Sequence, residues 1–471
     1  MRNTIQKHAF QPAQAYLARI AGFSKGGNVS DVVVGGVCLA APAIMDEVPK
    51  SAQVVSDLFK NGLSKGREPD RVGAEGPMYW GYAVRYAVPL LAAMNSALGA
   101  DFGLSDTTGM RGTGAYAIYG TGPSGASFGY SDSHSRGMHT QELLWLASRY
   151  DTPAYGWQAL NRLPNETKPD KKTDETQNED ADNKESAVCV QAPFRFLWAQ
   201  PENYHPPTER TFPLARLFKG EVELAFFRSA WNDPNALFVG MKGGENWGGH
   251  GDLDIGDFVL DVNGVQWAVE LGANSYNSPS YFDRTGPRWD YYRKRAEGQN
   301  TLVINPGKGP DRQHGIAPFE SFSDAPGDFF AVLNMTSPYS EAANSVKRGV
   351  RLADEVALLQ DEIETTAPAD VFWFMHTRAE IALEDGGKKA RLSQDGKTLV
   401  AQCLSPENAA FTVMQPVPLP GAPNPPENNP NKGVQKLAIS LPQVSKACIV
   451  VTFTTEKDGH APPHMPLSLW R

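Results

Sequence analysis

The stretch of sequence that decides the fold is residues 236–271, ALFVGMKGGENWGGHGDLDIGDFVLDVNGVQWAVEL. Apolar and aromatic residues are concentrated at 236–241, 257–262 and 266–271, and glycine, asparagine and acidic residues separate these runs. Short runs of this composition predict β-strands. The pair Asn263-Gly264 between the second and third runs is typical of a tight hairpin turn, so we expect antiparallel strands.

The same pattern extends on both sides, from Phe212 to the end of the chain. Further apolar runs occupy 222–227, 301–304, 356–360, 371–375, 409–413 and 447–453, and a loop rich in proline and asparagine occupies 416–430. Many short strands at this spacing predict a β-sandwich, which we place at residues 212–471.

The first part of the chain has a different periodicity. Apolar residues recur at helical spacing in 8–22, 32–45, 83–98 and 142–150, and no strand alternation precedes residue 212. Residues 165–187 contain almost no apolar side chain, which is typical of a disordered loop, and 188–211 form a connector. We therefore expect an α+β chain with a helical domain at 1–164, and a cleft between the two domains is a natural ligand site.

Composition limits the possible partners. The chain has 471 residues and a net charge of −9, which disfavours a nucleic-acid partner, and an acidic polymer would need a local basic or metal-lined cleft. The sequence has no apolar run long enough to span a membrane, and residues 1–8 lack the apolar segment of a signal peptide. Aromatic residues make up 10% of the chain; most of them predict core packing, although flat rings also bind sugars.

The segment after Gly243 carries the most informative polar residues. His250, Asp252 and Asp254 occupy alternate positions, and in an extended segment alternate side chains point to one side. A histidine among carboxylates can act as a base or as a metal ligand. A polar turn with satisfied hydrogen bonds is an equally good interpretation of the spacing alone.

Residues 250–261, HGDLDIGDFVLD, resemble the His-x-His-x-Asp-x-Gly-Ser-Phe signature of the heparinase II/III-like polysaccharide lyases. The resemblance continues through the segments 267–272, 276–282 and 291–305, and upstream through 27–36, 75–82 and 95–104. It covers nearly the whole chain. It implies an incomplete (α/α) toroid followed by a large antiparallel β-sandwich, and cleavage of a uronic-acid-containing polysaccharide by β-elimination.

The resemblance also implies a location. Members of this family are typically periplasmic or secreted. Because the helical part is short for the family, we expect its early helices and signal peptide to be missing, through a truncated gene model or an unusual partial toroid.

β-Elimination needs a group that neutralises the substrate carboxylate, a base and an acid. By the resemblance, His250 is the catalytic histidine, Tyr79 or Tyr82 is the catalytic tyrosine of the toroid, and Tyr281 is a second tyrosine from the sandwich. We expect His250 and the toroid tyrosine to converge across the interface between the two domains.

The resemblance assigns the remaining roles to three further segments. Asn28 lies in the segment that neutralises the carboxylate, and Ser30 stands where relatives carry a second Asn or a His near that carboxylate. Ser30, Trp80 and Trp247 are the predicted substrate contacts.

Relatives hold a metal at positions that are Asp252, Glu270 and Gln299 in this chain. Two carboxylates close together are costly without a cation, so we expect one divalent metal, calcium or zinc. The all-oxygen set suits calcium better, because zinc favours imidazole and thiolate ligands.

Two other functions stay open. Ser30 and Gln299 depart from the family pattern, which is compatible with a carbohydrate-binding protein that has lost its chemistry. A glycoside hydrolase could draw a carboxylate pair from Asp252, Asp254 and Glu270, but no motif supports it. His376 lies in a strand pattern and is predicted to be a core histidine. The oligomeric state is not predicted.

Overall fold

The computed structural model describes residues 75–107, 109–135, 141–161, 193–246, 248–307, 314–353, 355–455 and 464–470, with residue 138 and scattered positions before residue 75. The chain divides into two compact units. The first comprises Met1–Ile118, Met138–Asn165 and Asn178–Pro206, and the second Tyr119–Gly137, Glu166–Gln177 and Pro207–Arg471.

The longer described helices lie in the first part of the chain. They are α1 (Pro77–Leu98), α2 (Thr113–Tyr119), α3 (Glu142–Tyr150) and α4 (Pro153–Asn161). A short helical stretch follows at 193–198, and the later helices are 3-10 turns. None of the helices in the described residues is long and apolar enough to cross a membrane. The predicted helices at 8–22 and 32–45 fall mostly outside these residues.

Helix α1 illustrates why the sequence forms helices here. Pro77 has no backbone N–H to lose at the first helical position, and Gly99 ends the helix in the left-handed conformation, with its N–H donated to the Asn95 carbonyl. Buried residues recur every three or four positions, including Trp80, Val84 and Val88. The predicted helix 83–98 is therefore confirmed, and it begins six residues earlier than expected.

The first sheet of the second unit has six strands in the order β1-β2-β3-β4-β5, with β7 paired to β3. The strands are β1 (Ala215–Phe218), β2 (Val222–Arg228), β3 (Phe238–Glu245), β4 (Phe258–Val262), β5 (Val265–Ala268) and β7 (Ile316–Ala317). The predicted hairpin is confirmed: Asn263 and Gly264 both have positive φ, at 55° and 71°, as a type I′ turn requires.

The second sheet has ten strands in the order β12-β13-β14-β16-β11-β10-β9-β8, with β15 paired to β16 and β6 to β11. The long strands β11 (Val356–Thr377) and β16 (Gln435–Thr454) form its centre. The others are β6 (Leu302–Ile304), β8 (Phe319–Ala325), β9 (Asp328–Asn334), β10 (Ala343–Ala353), β12 (Glu380–Glu384), β13 (Lys389–Gln394), β14 (Lys397–Ser405) and β15 (Phe411–Met414).

A single hydrophobic core joins the two sheets. Met241, Phe258 and Trp267 of the first sheet belong to the same buried cluster as Trp373 and Val451 of the second. All the strand pairs are antiparallel. The strand-rich region is therefore a β-sandwich, as the sequence predicts.

Residues 119–137 lie between helices in the sequence but belong to the strand unit. Arg228 of β2 donates hydrogen bonds to the carbonyls of Tyr119 and Thr121, at 3.2 and 3.1 Å. Gly122 approaches Asp261 of β4 so closely that a Cβ atom at this position would clash with the Asp261 carboxylate. This segment brings a carboxylate, Asp132, to the strands.

Candidate active site

His250 lies in the turn between β3 and β4 and has a positive φ of 48°. Its Nδ1 atom is 3.0 Å from Asp132 Oδ2, and its carbonyl accepts the Asp132 N–H at 3.1 Å. The histidine is thus bound twice to one residue, while its side chain stays 20% exposed. The turn holds the ring by one nitrogen and leaves part of it on the surface.

Asp132 is buried and accepts hydrogen bonds from four side chains. Besides His250, these are Lys294 Nζ at 2.7 Å, Arg288 Nη2 at 3.1 Å and the Tyr281 hydroxyl. Burial raises the pKa of Asp132, but the Lys294 ammonium, the His250 hydrogen bond and Arg288 outweigh burial and hold this pKa below its usual range. Asp132 is therefore a carboxylate and can only accept a hydrogen bond, so Nδ1 of His250 donates. In the neutral imidazole, the lone pair is then on Nε2.

Asp252 shares the cations of Asp132. Lys294 Nζ is 2.7 Å from Asp252 Oδ2, and Arg288 Nη2 is 3.2 Å from Asp252 Oδ1. All four side chains are buried, so two acidic groups face two basic groups. Burial raises the pKa of Asp252 well above its usual value, and Lys294 opposes this shift. Asp132, Asp252, Arg288 and Lys294 are called the paired cluster below.

Two tyrosines lie near His250 in different environments. Tyr281 is 1% exposed and donates its hydroxyl to Asp132; burial and this carboxylate raise its pKa well above the usual value. Tyr276 is 41% exposed, and its hydroxyl oxygen is 3.5 Å from His250 Nδ1. The structure thus brings the predicted Tyr281 to the site as a support for Asp132, and it adds Tyr276 on the exposed side.

Exposed aromatic rings surround the histidine. The Tyr276 ring lies 5.9 Å from the His250 ring at an interplanar angle of 23°, and the Phe282 ring meets His250 edge-on at 6.0 Å. Phe282 is 57% exposed. Large apolar rings exposed beside a polar group are suited to binding the apolar face of a sugar ring.

The alternation argument for the turn is wrong. His250 itself is left-handed, none of residues 251–254 belongs to a strand, and a turn follows at 255–256. His250 and Asp252 both reach the paired cluster, but Asp254 binds Lys242 Nζ at 2.6 Å and the Ser131 N–H at 3.1 Å.

The carboxylates proposed for a hydrolase are also unsuited to that role. Asp252, Asp254 and Glu270 are all buried, so none presents an accessible oxygen to a glycosidic bond.

The predicted toroid residues lie on α1. Tyr82 is exposed, its ring lies 5.6 Å from that of Tyr86, and the Arg85 guanidinium is 5.9 Å from the centre of the Tyr82 ring. Tyr79 is half-buried and lies one turn before Tyr82, so both occupy the same side of the helix. Their convergence with His250 stays a prediction.

Trp80 is placed differently from its predicted role. It is buried, and its indole N–H donates to Thr113 Oγ1 at 2.8 Å. This placement argues for packing rather than for the predicted sugar contact. Asn28, Ser30 and Trp247 lie outside the described residues, so their roles stay predictions.

The predicted metal ligands are not equivalent. Asp252 does not fit a metal site, because Lys294 and Arg288 occupy its two oxygens. Glu270 accepts the Gly272 N–H, and the Gln299 amide donates to the Arg293 carbonyl, so each has an oxygen that these bonds do not use. Among the described residues, no three His, Cys, Asp or Glu side chains form a metal-binding group.

His376 is a core residue, as predicted. It is buried. Its Nε2 atom is 2.7 Å from the Tyr292 hydroxyl oxygen, and its Nδ1 atom is 3.2 Å from Asn300 Oδ1. Burial lowers its pKa well below the usual value.

Sequence reasoning missed Asp132, Arg288 and Lys294. Lys294 lies in the segment 291–305 that resembles the family, and Arg288 lies just before it. The resemblance could therefore have suggested that both residues lie close to His250. Asp132 lies 118 residues before His250 in a segment without periodicity, and no local signal marks it.

Comparisons with known proteins agree with this architecture. Residues 232–456 match the family model for the heparinase II/III-like C-terminal domain. Heparan sulfate lyase HepC from Pedobacter heparinus matches with a TM-score of 0.66 and 12% identity, over 92% of this chain and 60% of that chain. A heparinase III matches with a TM-score of 0.62 and 12% identity, over 91% and 61% of the two chains. No curated protein sequence matches.

At these identities the solved structures establish the fold, and this chain spans about 60% of the length of the first of them. The expected architecture, a toroid followed by a β-sandwich, is confirmed. The resemblance inferred from the signature at 250–258 is confirmed as well, because residues 232–456 match the model of the heparinase II/III-like C-terminal domain.

Proposed function

We propose that this protein is a polysaccharide lyase that cleaves a uronic-acid-containing polysaccharide by β-elimination. The observation that carries the proposal is the pairing of a partly exposed His250 with the buried, ionised Asp132. A histidine fixed in this way can transfer a proton at neutral pH.

The reaction moves one proton from carbon to a base and one from an acid to oxygen. The base takes the C5 proton of the uronate, the electron pair of the C5–H bond forms the C4–C5 double bond, and the C4–O bond breaks. Asp132 keeps the proton of neutral His250 on Nδ1, so Nε2 can accept the C5 proton. The imidazolium that results is stabilised by the Asp132 carboxylate.

The leaving oxygen needs a proton donor, and a tyrosine hydroxyl is suited to this task. Tyr276 is the better candidate within the sandwich, because the Tyr281 hydroxyl is buried and already bound to Asp132. Tyr79 or Tyr82 is the corresponding candidate from the toroid.

The substrate carboxylate must be neutralised before its neighbouring proton can leave. We assign this task to Asn28, with the Ser30 hydroxyl as a weaker donor. The substrate class follows from this chemistry: an acidic polysaccharide whose sugar rings pack on Tyr276 and Phe282.

The test is the ultraviolet absorbance of an unsaturated uronate, measured on heparan sulfate, chondroitin sulfate, alginate and glucuronan. We expect absorbance to rise on at least one substrate with the wild-type chain and not with His250→Ala. New reducing ends without absorbance would indicate a hydrolase. Polymer binding without either product would indicate the second candidate, a carbohydrate-binding protein, which the departures at Ser30 and Gln299 favour.

A further inference from the structure

The loop rich in proline and asparagine, residues 416–431, connects β15 to β16. Asn431, near its end, is buried and donates its side-chain amide to the Pro416 carbonyl at 2.8 Å. The same side chain accepts a hydrogen bond from Arg293 Nε at 2.8 Å. The two ends of the loop are therefore joined to each other and to a residue outside the loop.

Asn274 joins this loop to the turn that carries Tyr276. It is buried, and its Nδ2 atom donates to the Glu427 carbonyl at 3.0 Å and to Ser278 Oγ at 2.9 Å. Its Oδ1 atom accepts the Asn429 N–H at 2.9 Å. Asn274 and Ser278 lie two residues before and two residues after Tyr276. One amide thus closes the turn around Tyr276 and fixes that turn to the loop.

The loop is also bound to the segment of the buried cations. Asn428 Oδ1 accepts the Tyr292 N–H at 2.8 Å, and Arg293, already bound to the loop, donates to the Ala273 carbonyl at 2.7 Å. Tyr292 and Arg293 directly precede Lys294 of the paired cluster. One loop is therefore attached to both segments that surround the proposed catalytic histidine.

The position of Tyr276 depends on its backbone. Its ring is exposed and lies 5.1 Å from the ring of Phe282, which is exposed as well, and 5.2 Å from that of Tyr281. Its hydroxyl oxygen is 3.5 Å from His250 Nδ1. A proton donor must stay within hydrogen-bond reach of the leaving oxygen, and small displacements lower the rate strongly. The turn that holds Tyr276 therefore matters for the reaction.

We propose that the 416–431 loop, acting through Asn274, positions Tyr276 beside His250, and that Asn274 is a positioning residue for proton donation. The inference rests on the proposed function, since proton donation by Tyr276 is part of it. Asn274 is buried and its amide is bound at both ends, so it acts through Tyr276 rather than on the sugar. Its loss should lower kcat and leave KM nearly unchanged, because the rings of Tyr276 and Phe282 still bind the substrate.

A double-mutant cycle tests this route. The kcat and KM values of Asn274→Ala, Tyr276→Phe and the double variant are measured by the absorbance of the unsaturated product. Asn274→Ala should lower kcat about tenfold and change KM less than about twofold. In the Tyr276→Phe background the same substitution should lower kcat by less than about twofold, because the hydroxyl is already absent. A tenfold loss in both backgrounds would overturn the proposal.

Two further variants separate positioning from lost stability. Asn334→Ala is the matched control, because the Asn334 side chain is also bound at both ends, to Glu320 at 2.6 Å and to the Thr336 N–H at 3.0 Å. It should keep the wild-type kcat, and a tenfold loss in this control would refute our assignment. Ser278→Ala removes one of the three Asn274 bonds and replaces Asn274→Ala if that variant does not fold. It should give a smaller loss of kcat that also disappears in the Tyr276→Phe background.

Hydrogen exchange tests the attachment without any activity. Mass spectrometry follows the backbone amides of 273–282 and 427–431 in the full chain. Asn274→Ala should speed exchange in both segments about tenfold, and Asn334→Ala should not. If the wild-type chain cleaves no polysaccharide, the proposed lyase function fails, and exchange alone decides whether the loop holds the turn of Tyr276. Unchanged exchange at 273–282 in Asn274→Ala would overturn the proposal, with or without lyase activity.

Discussion

The paired cluster and the Asp257–Glu270 pair are two solutions to the same electrostatic problem. Both bury two carboxyl groups: the paired cluster joins Asp132 and Asp252, and the second pair joins Asp257, just before β4, to Glu270, after β5, with their side chains in contact. The paired cluster contains its own cations, with Lys294 at 2.7 Å from both Asp132 and Asp252. The other pair has no such cation in the described chain. The difference shows what a buried cation does: the Lys294 ammonium stabilises the charge of Asp132, and this carboxylate can then orient His250. A buried carboxyl group without a cation must instead take up a proton or bind an ion.

The largest expected effect concerns Lys294. Lys294→Met leaves Asp132 and Asp252 buried beside Arg288 alone, so we expect the free energy of unfolding to fall by about 3–5 kcal/mol. Denaturant unfolding measures the change. The matched control is Lys347→Met, which removes an exposed pair with Glu320 and should cost less than about 1 kcal/mol. Equal losses in the two variants would mean that the paired cluster is no special source of stability.

Asp132→Asn tests the role of the paired cluster in orienting His250. An amide can no longer hold His250 as a carboxylate does, so we expect kcat on the substrate found by absorbance to fall at least about a hundredfold. The acidic limb of the pH profile should shift to lower pH, because the imidazolium loses its carboxylate partner. A variant with reduced stability but unchanged kcat and pH profile would show that Asp132 has only a structural role.

A third buried carboxyl group, Glu142 of α3, has a pKa that burial raises against the opposing charge of Arg85. Burial raises its pKa to about 7, and Arg85 opposes this only in part. A carboxyl whose pKa is raised on folding stabilises the fold below its unfolded pKa of about 4.5, and this contribution is lost as pH rises through about 7. Glu142→Gln should therefore gain about 2–3 kcal/mol relative to wild type between pH 4.5 and pH 8. The comparison fails if the difference between the two proteins does not change with pH.

The smallest effect separates the two tyrosines. Tyr276→Phe should lower kcat about tenfold or more and leave Tm unchanged, because its hydroxyl is on the exposed side of His250. Tyr281→Phe should instead lower the free energy of unfolding by about 1–3 kcal/mol, because it leaves a buried carboxylate one hydrogen bond short. The reverse pattern would restore Tyr281 as the proton donor.

The sequence predicts the fold well because the signals are local. The hairpin at Asn263-Gly264 needs two positive φ angles, which these residue types supply. The apolar runs are strands because their side chains fill one shared core. His250 could be identified through a motif, and the neighbourhood of Tyr281 followed from the same resemblance.

The site could not be completed from sequence because its decisive contacts are not local. Asp132 and His250 are 118 residues apart, and nothing in the sequence around Asp132 reveals four hydrogen-bond donors. Asp252 and Asp254 look equivalent in a linear pattern, yet one binds Lys294 and the other Lys242. The backbone turns in this segment decide which lysine each carboxylate binds. A pattern of alternating residues in the sequence does not predict such turns.

The assignment of residues 119–137 to the strand unit has a consequence for how such chains can be recombined. A sandwich transferred to another protein as one uninterrupted piece, from residue 207 onward, would carry His250 but leave Asp132 behind. Lys294 and Arg288 would then keep only Asp252 as a buried counterion. The strand region is therefore not an interchangeable module. Gene fusion or domain shuffling that moves residues 207–471 alone would move His250 without the carboxylate that orients it. The oriented histidine is transferred only when residues 119–137, which lie among the helices in the sequence, are moved as well.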